Sequence, residues 1–495
     1  MHSVADAVFA LPFKPRTALV ARGLEGWSEA LTSMGVRVLD DLTVAVDAPD
    51  LVVAPSTDLD RVLRLAPHCL IVQGRRAGWR IKGGGYAMHC FLPLPDVEDP
   101  RILLPLSSRR QIRYALDRSP PRSARKRLRN RVVIPLLGAG LSPPGRSLLT
   151  VGSREPGAPF FIAEACSRFA LPPKVEWLLL PGAGDALSRG TFHMFPPGQE
   201  KPGWVVKFAR VPGYSESFDR DERGLALATA AGPEVIAHAP RLLGRFTLGG
   251  IHASVESAAV GQPLLGYLAS SASLQAKRAM IDRIAGWQVA MATVTATNPE
   301  CLAGERRRIK TDVLPHWTDS GLSPAIVDRV SSVSGVLQHN DLGTWNVIVD
   351  PRGPGPPSFI ALDWESARAV GMPLWDLFYF LQDALGCLDG YSGLGEGDLA
   401  RREGHAVRLF RGELPSSRIL FEWTRRAVAS CGIPEKAVGT LAMLCFLHHG
   451  LSQRHRERTA KRHGSHGPIR EMLWPRLARR WLEDPALGPG WDRWR

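Results

Sequence analysis

Cysteine is scarce in this sequence and follows no regular spacing. The 495 residues include seven cysteines, and no two of them form a C-x-x-C pair. An odd, scattered set argues against a disulfide framework and against a zinc site, and it suits the reducing environment of the cytoplasm. We therefore expect a cytoplasmic protein whose fold depends on neither disulfides nor zinc.

Long apolar runs and dinucleotide-binding glycines are also missing. No stretch of 18 apolar residues occurs, so no membrane-spanning helix is expected. Residues 1–15 lack a basic region followed by an apolar core and a cleavage site, so no signal peptide is expected. The turn after the first predicted strand, residues 22–26, bears glycine but is not G-x-G-x-x-G, which leaves a dinucleotide site unsupported.

Acidic residues are outnumbered by basic ones. Lys and Arg total 62 against 48 Asp and Glu, which gives a net charge of +14. A basic surface favours anionic partners, although an Arg-rich proteome would produce the same excess. Ten of the basic residues lie between residues 109 and 131, just before an apolar segment at 132–141.

Three interpretations of this basic segment remain open at the sequence level. It can be a solvated helix beside a core segment, or it can make weak contact with an anionic membrane surface through residues 109–131. It can also contact the phosphates of nucleic acid. No aromatic interleaving supports base stacking, so we expect no nucleic-acid partner.

The first 145 residues alternate short apolar runs with amphipathic segments. This alternation indicates a small Rossmann-like α/β domain with a parallel sheet. The predicted elements are strands at 17–21, 36–39, 50–54 and 69–73, and helices at 26–34 and 57–66.

The most informative stretch runs from residue 337 to residue 365. His339 and Asp341 follow an apolar run, and Asn346 comes five residues after Asp341. A β-branched run, a Pro/Gly-rich turn and a second apolar run then end at Asp363. This pattern predicts a loop, a hairpin and a strand end. It places the oxygen-bearing side chains of Asp341, Asn346 and Asp363 at the same end of the hairpin.

That set of side chains matches the needs of phosphoryl transfer. The reaction requires a carboxylate that orients an attacking hydroxyl, and it requires oxygen ligands for the Mg²⁺ that holds the nucleotide phosphates. An H-x-D-x-x-x-x-N spacing followed by an Asp at a strand end is the arrangement found in kinases.

These residues resemble the aminoglycoside phosphotransferase and choline kinase-like family. The string Asp-Trp-Glu at 363–365 is typical of that family, whereas protein kinases carry Asp-Phe-Gly. The resemblance implies that Asp341 is the catalytic base and that Asn346 and Asp363 are the Mg²⁺ ligands. It also implies that Asp376, on the next helix, braces the catalytic loop. The matching residues are His339, Asp341, Asn346, Asp363, Trp364, Glu365, Ala367, Gly371, Pro373, Asp376 and Leu377.

Residues that would bind the nucleotide are expected upstream. A strand at 177–180 runs into a turn that contains Gly182 and Gly184, and such a turn can lay backbone N–H groups over phosphates. Lys207 is a lone lysine in the apolar strand 203–209, as is required of the lysine that pairs with the α and β phosphates.

Three further residues are assigned by the resemblance. Glu222 matches the helix acid that steadies Lys207 better than the nearby Asp219 and Asp221 do. Glu256 and Ala258 fall where the family places the hinge that touches adenine through backbone groups.

The patterns together predict an α+β protein with a bilobal protein kinase-like fold, preceded by the Rossmann-like α/β domain. The expected domains are residues 1–145, an N-lobe at 155–260 and a helical C-lobe at 261–495. Within the C-lobe, helices are expected at 314–330 and 409–429.

The expected function is transfer of the ATP γ-phosphate to a hydroxyl of a small molecule, with ATP and Mg²⁺ as cofactors. A sugar, an amino alcohol or an aminoglycoside-like compound would be the acceptor. The alternative is a pseudokinase that serves as a nucleotide-binding scaffold. Retention of Lys207, Asp341, Asn346 and Asp363 argues against that alternative.

Overall fold

The computed structural model describes most of the chain, and the numbering of elements covers those residues only. The described residues are 3–39, 48–74, 78–97, 100–106, 108–118, 134–137, 146–182, 187–351, 358–391, 398–462 and 473–495.

The fold is of the mixed α+β class, as expected from the sequence. The α-helices are α1 Glu25–Ser33, α2 Leu59–Leu65, α3 Gly78–Gly83, α4 Arg109–Asp117, α5 Phe160–Arg168, α6 Glu216–Ala230, α7 Pro233–Ile236, α8 Leu264–Ala269, α9 Leu274–Val294, α10 Ala303–Arg308, α11 Trp375–Gly386, α12 Leu399–Phe410, α13 Ser417–Cys431, α14 Glu435–Arg462 and α15 Leu473–Glu483. The strands are β1 Thr17–Val20, β2 Arg37–Leu39, β3 Leu51–Pro55, β4 Cys69–Gly74, β5 Ala87–Leu94, β6 Ile102–Pro105, β7 Leu148–Ser153, β8 Glu176–Leu180, β9 Gly190–Phe195, β10 Trp204–Phe208, β11 Leu242–Leu248, β12 Ile251–Ser257, β13 Gln262–Pro263, β14 Val336–Gln338, β15 Val347–Asp350, β16 Ser358–Ala361 and β17 Arg368–Gly371.

The chain divides into two compact units. The first comprises Met1–Phe218, Arg241–Val260 and Ala460–His466, and the second comprises Asp219–Pro240, Gly261–Thr459 and Gly467–Arg495. This grouping places the expected α/β domain and most of the expected N-lobe in one unit. The domain boundaries predicted from the sequence stay a prediction.

A twelve-stranded sheet organises the first unit, with the order β11-β12-β10-β9-β8-β6-β5-β7-β4-β3-β1-β2. At one end, β1 to β4 pair in parallel, and helices α1 and α2 follow β1 and β3. The remaining pairings are antiparallel. Strand β4 pairs in antiparallel register with β7, so the parallel and antiparallel parts are continuous. Strand β6 pairs with β8 at Leu103 and Leu179.

The second unit is mainly helical. Two small sheets, β13-β15-β16 and β14-β17, carry the stretch that the sequence singled out. Helix α11 is buried along its whole length, and the long helix α9 buries Ile281, Ile284 and Trp287 at the spacing of one helical face.

Two helices predicted in this unit differ from the structure. Residues 314–330 form two 3₁₀ segments, Leu314–Ser320 and Pro324–Val330, because Pro324 cannot donate a backbone hydrogen bond and Gly321 adopts a φ of 68°. The helix predicted at 409–429 is broken between α12 and α13, where Gly412 adopts a φ of 77°.

The described part of the basic segment is an amphipathic helix. Helix α4 buries Ile112, Tyr114 and Ala115, and it exposes its arginines. Arg113 lies 3.4 Å from Glu200 in an exposed ion pair. Residues 119–131, the rest of the segment, lie outside the described residues. Contact with a membrane surface stays a prediction.

In the described part of the chain, no single helix combines the length with the apolar composition that a membrane crossing requires. The bent pair Ser417–Cys431 and Glu435–Thr459 meets that requirement only when its two helices are joined.

A buried ion pair ties the N-terminal segment to the first unit's sheet. Asp6 lies on the 3₁₀ segment Ser3–Ala10, and its Oδ1 accepts a hydrogen bond of 2.9 Å from Arg210 Nε. Both side chains are almost fully buried, at 0% and 1% exposure. The Oδ2 atom of Asp6 accepts the backbone N–H of Gly182 at 2.8 Å.

We predict that Asp6→Ala lowers the free energy of unfolding by about 3–5 kcal/mol, because it leaves the Arg210 guanidinium buried without this partner. Urea denaturation measures the loss. The double variant Asp6→Ala/Arg210→Met should recover part of it, since no buried charge remains. Glu155→Ala, at an exposed acid of the same unit, is the matched control. A single variant as stable as that control would contradict the prediction.

Candidate active site

The loop that carries Asp341 lies between β14 and β15 in the second unit. Strand β15 pairs with β16 in antiparallel register, with Val347 opposite Ala361. Asp363 follows β16 by two residues and adopts a left-handed φ of 57°. The backbone N–H of Leu362 donates to Asn346 O at 2.7 Å. The predicted loop, hairpin and strand end are therefore present in the structure.

Asp376 holds the backbone of this loop. Its Oδ2 accepts the N–H of His339 and its Oδ1 accepts the N–H of Asn340, both at 2.7 Å. Asn340 has a φ of 70°, a left-handed conformation that Asn tolerates better than most residues. Burial raises the pKa of Asp376 to about 6, although the two N–H donors oppose this shift. The resemblance assigned this bracing role, and the observed contacts fit it.

His339 connects the loop to the returning strand. Its side chain is fully buried, and burial lowers its pKa to about 4, so the imidazole is neutral. Nε2 donates to the carbonyl of Leu362 at 2.9 Å. Nδ1 is consequently the acceptor, and it receives the backbone N–H of Asp341 at 3.3 Å. One neutral tautomer thereby links the backbones of Asp341 and Leu362.

The carboxylate of Asp341 is partly buried and has two side-chain partners. Tyr379 donates its hydroxyl to Oδ1 at 2.9 Å, and Asn346 Nδ2 lies 3.1 Å from Oδ2. Burial raises the pKa of Asp341 to about 7. The Tyr379 hydrogen bond opposes the rise, and the negative charge of Asp363 adds to it. A carboxyl that titrates near neutral pH is suited to proton transfer.

Asn346 and Asp363 form a suitable donor set for Mg²⁺. The Asn346 amide nitrogen also donates to Asp341 O at 2.8 Å, which leaves the amide oxygen for another ligand. Mg²⁺ sites commonly use one or two carboxylates, with water and substrate phosphates as the other ligands. Within the described residues no cluster of three or more His, Cys, Asp or Glu side chains could hold a metal ion.

Helix α6 approaches the residue after Asp363. A Cβ on Gly224 would lie 2.0 Å from the carbonyl oxygen of Trp364, so only glycine fits there. On the same helix Asp221 is buried and its charge acts on His339, whereas Glu222 is exposed. Asp221, which the sequence reasoning set aside in favour of Glu222, is therefore the acid that this helix buries.

Lys207 lies in the first unit and forms an ion pair with Glu256. The Lys207 Nζ atom is 2.9 Å from Glu256 Oε1, and both side chains are buried. Glu256 stands opposite Val205 in the antiparallel pairing of β10 and β12. Val205 and Lys207 are two residues apart and share a face, which makes Lys207 and Glu256 diagonal neighbours. The sequence assigned Glu256 only to the hinge and did not predict this pairing.

The other residues predicted to bind the nucleotide include Gly182 and Ala258, and the backbone of each makes a hydrogen bond. A Cβ on Gly182 would lie 2.4 Å from Arg210 Cδ, and the Gly182 N–H is the one that Asp6 accepts. The N–H of Ala258 donates to Gly203 O at 3.0 Å. Gly184 lies outside the described residues.

Sequence reasoning missed two side chains that touch the loop. Tyr379 contacts Asp341, and Asp383 accepts both the N–H and the hydroxyl of Thr344 through Oδ2, at 2.8 and 2.6 Å. Both belong to α11, three and seven residues after Asp376. The i, i+3, i+7 spacing puts all three on one helical face, and this pattern could have identified them.

The similarity of this chain to known proteins is weak. No family model matches the chain, and no curated protein matches it. A solved aminoglycoside-3'-phosphotransferase of type VIII is 16% identical, with a TM-score of 0.30, over 55% of this chain and 98% of that chain. A 2.2 Å structure of WbdD is 13% identical, with a TM-score of 0.25, over 86% of each chain. Another structure describes WbdD as a bifunctional kinase-methyltransferase, with a TM-score of 0.24 and 13% identity over 86% of each chain. At these scores the likenesses carry no argument about function.

Proposed function

We propose that the protein is a phosphotransferase that moves the γ-phosphate of ATP to a hydroxyl of a small molecule in the presence of Mg²⁺. The observation that carries the proposal is the set formed by Asp341, Asn346 and Asp363, on a loop and hairpin whose backbone is held by Asp376 and His339. The bilobal kinase-like fold and the Rossmann-like nature of residues 1–145 belong to the same proposal.

In this proposal Asp341 is the group that handles the proton. Its ionised carboxylate accepts a hydrogen bond from the acceptor hydroxyl and orients the oxygen toward the γ-phosphorus. As the new P–O bond forms and the bond to the β-phosphate oxygen breaks, the hydroxyl proton passes to Asp341. The Tyr379 hydroxyl, 2.9 Å away, fixes the direction of the carboxylate. Such positioning is the main source of rate enhancement in phosphoryl transfer.

The other residues have binding roles. Asn346 and Asp363 would hold Mg²⁺, which supplies charge neutralisation for the phosphates when it is bound. Lys207 would contact the nucleotide phosphates, and its ammonium is already oriented by Glu256. Roles for Glu222, Gly182, Gly184, Glu256 and Ala258 in nucleotide binding remain proposals, as does the acceptor class. A cytoplasmic location is proposed from the seven free cysteines.

We predict that Asp341→Asn and Asp363→Asn each reduce Mg²⁺-dependent ATP turnover about 100-fold or more, because one removes the proton acceptor and the other a metal ligand. Release of phosphate from ATP by the purified protein measures the effect. Asp350→Asn, at the end of β15 and outside the proposed site, is the matched control and should turn over ATP like the wild type.

If the wild type and all variants are equally inert, thermal stability in Mg-ATP separates the remaining cases. Stabilisation by Mg-ATP without turnover would favour the nucleotide-binding pseudokinase. Absence of both turnover and stabilisation would refute the phosphotransferase.

We predict that kcat/KM rises with pH and is half-maximal near pH 7, because Asp341 must be ionised and its pKa is raised to about 7. In Tyr379→Phe the hydrogen bond that lowers this pKa is lost, so the rising limb should move to higher pH. Initial rates across a pH series give both curves.

Tyr267→Phe is the control for this shift, since Tyr267 is a buried tyrosine of the same unit that does not contact Asp341 in the described structure. Its pH profile should coincide with that of the wild type. If the rising limb of kcat/KM against pH stays in place in Tyr379→Phe, or moves to lower pH, Asp341 does not control the rate.

A further inference from the structure

A cavity of about 330 Å³ lies in the second unit, apart from Asp341 and its partners. One wall is a face of α9 that includes Arg283, Trp287 and Ala290, at the spacing of successive helical turns. The turn after α7 contributes His238, and strand β16 contributes Phe359. A volume of about 300 Å³ is the lower end of the range for small-molecule sites in proteins.

Three aromatic rings line part of this cavity, and of these His238 is partly exposed whereas Trp287 and Phe359 are largely buried. The ring of His238 stacks on that of Phe359, with centroids 4.0 Å apart and an interplanar angle of 8°. Trp287 stands nearly perpendicular to Phe359 at 5.5 Å and to His238 at 5.7 Å. Rings of these kinds favour a planar aromatic guest, which can stack or pack edge to face.

The imidazole of His238 offers one polar contact. Its Nδ1 lies 2.9 Å from the carbonyl of Phe359 and must be the donor there. Burial lowers the pKa of His238, and the nearby positive charge of Arg283 lowers it further, so the ring is neutral at pH 7. Its Nε2 atom is therefore an acceptor, suited to an N–H group of a heterocycle or an aniline.

Charge at the rim indicates the remaining part of the ligand. Arg283 is exposed, and in the described part of the chain no carboxylate lies within 4.0 Å of its guanidinium. Glu234 also lines the cavity and is the acid that would oppose an anion there. A guanidinium that is not engaged by a carboxylate pairs well with an anionic group of a ligand.

We propose that this cavity is a second ligand site, separate from the phosphotransfer residues, for a small planar N–H-bearing aromatic compound with a carboxylate or sulfonate group. The rings of His238, Trp287 and Phe359 hold the aromatic part, and Arg283 pairs with the anion. The site is continuous with the hairpin that leads to Asp363, because Phe359 precedes Asp363 by four residues on the same chain segment.

Binding of indole-3-acetate to the full-length protein tests the proposal without any measurement of ATP turnover. Isothermal titration should show one saturable site, and indole-3-acetate should displace the fluorescent probe 8-anilinonaphthalene-1-sulfonate. Ala290→Phe places a ring in the cavity and should weaken binding by at least about tenfold. Ala279→Phe adds the same ring at an exposed position of α9 that does not line the cavity, and it should bind like the wild type.

Variants of the two charged residues at the rim, Arg283 and Glu234, test whether the site prefers an anionic ligand. Arg283→Gln should weaken indole-3-acetate binding about threefold or more, and Glu234→Gln should strengthen it, because each changes one exposed charge beside the anion. Neither should alter binding of neutral 3-methylindole. Equal binding by Ala290→Phe and Ala279→Phe would overturn the site, and equal responses of the charged and neutral indoles to the rim variants would overturn its preference for anions.

Discussion

The candidate site depends on one constraint: buried backbone N–H groups must find acceptors. The loop after β14 forms no regular ladder at His339 and Asn340, yet both residues are buried. Leaving such groups unpaired costs free energy comparable to a lost hydrogen bond. Asp376 resolves this by accepting both N–H groups with its two carboxylate oxygens. The second of these contacts holds the backbone at Asn340, which has a left-handed φ of 70° and directly precedes Asp341.

The same packing buries several carboxyl groups, and burial disfavours their ionised form. Burial raises the pKa of Asp341, Asp376 and Asp383 alike. Asp376 is stabilised as an anion by two backbone donors, and Asp383 is stabilised by the N–H and hydroxyl of Thr344. Charge burial of this kind is tolerated where hydrogen bonds compensate for lost hydration.

Much of this arrangement could be predicted from the sequence, because the relevant contacts are local. The order of Asp341, Asn346 and Asp363 around a Pro/Gly-rich turn specifies a hairpin, and that hairpin is present with paired strands. Local sequence patterns could not predict which residues of separate strands face each other in the sheet. The partnership of Lys207 with Glu256 requires knowledge of which residues face each other across β10 and β12. A continuous helix was predicted at 314–330, but the structure has two 3₁₀ segments there, because Gly321 and Pro324 interrupt the helix.

The three buried carboxyl groups of this unit, Asp341, Asp376 and Asp383, differ in their hydrogen-bond donors. All three carboxyl groups are desolvated, so desolvation alone cannot say which of them transfers a proton. Asp341 has a phenol and an amide as donors, and the charge of Asp363 acts against its ionised form. Burial raises the pKa of Asp376 as well, and its donors are two backbone N–H groups. A base must release and regain its proton near the working pH, and a pKa of about 7 suits Asp341 to the role that we propose for it.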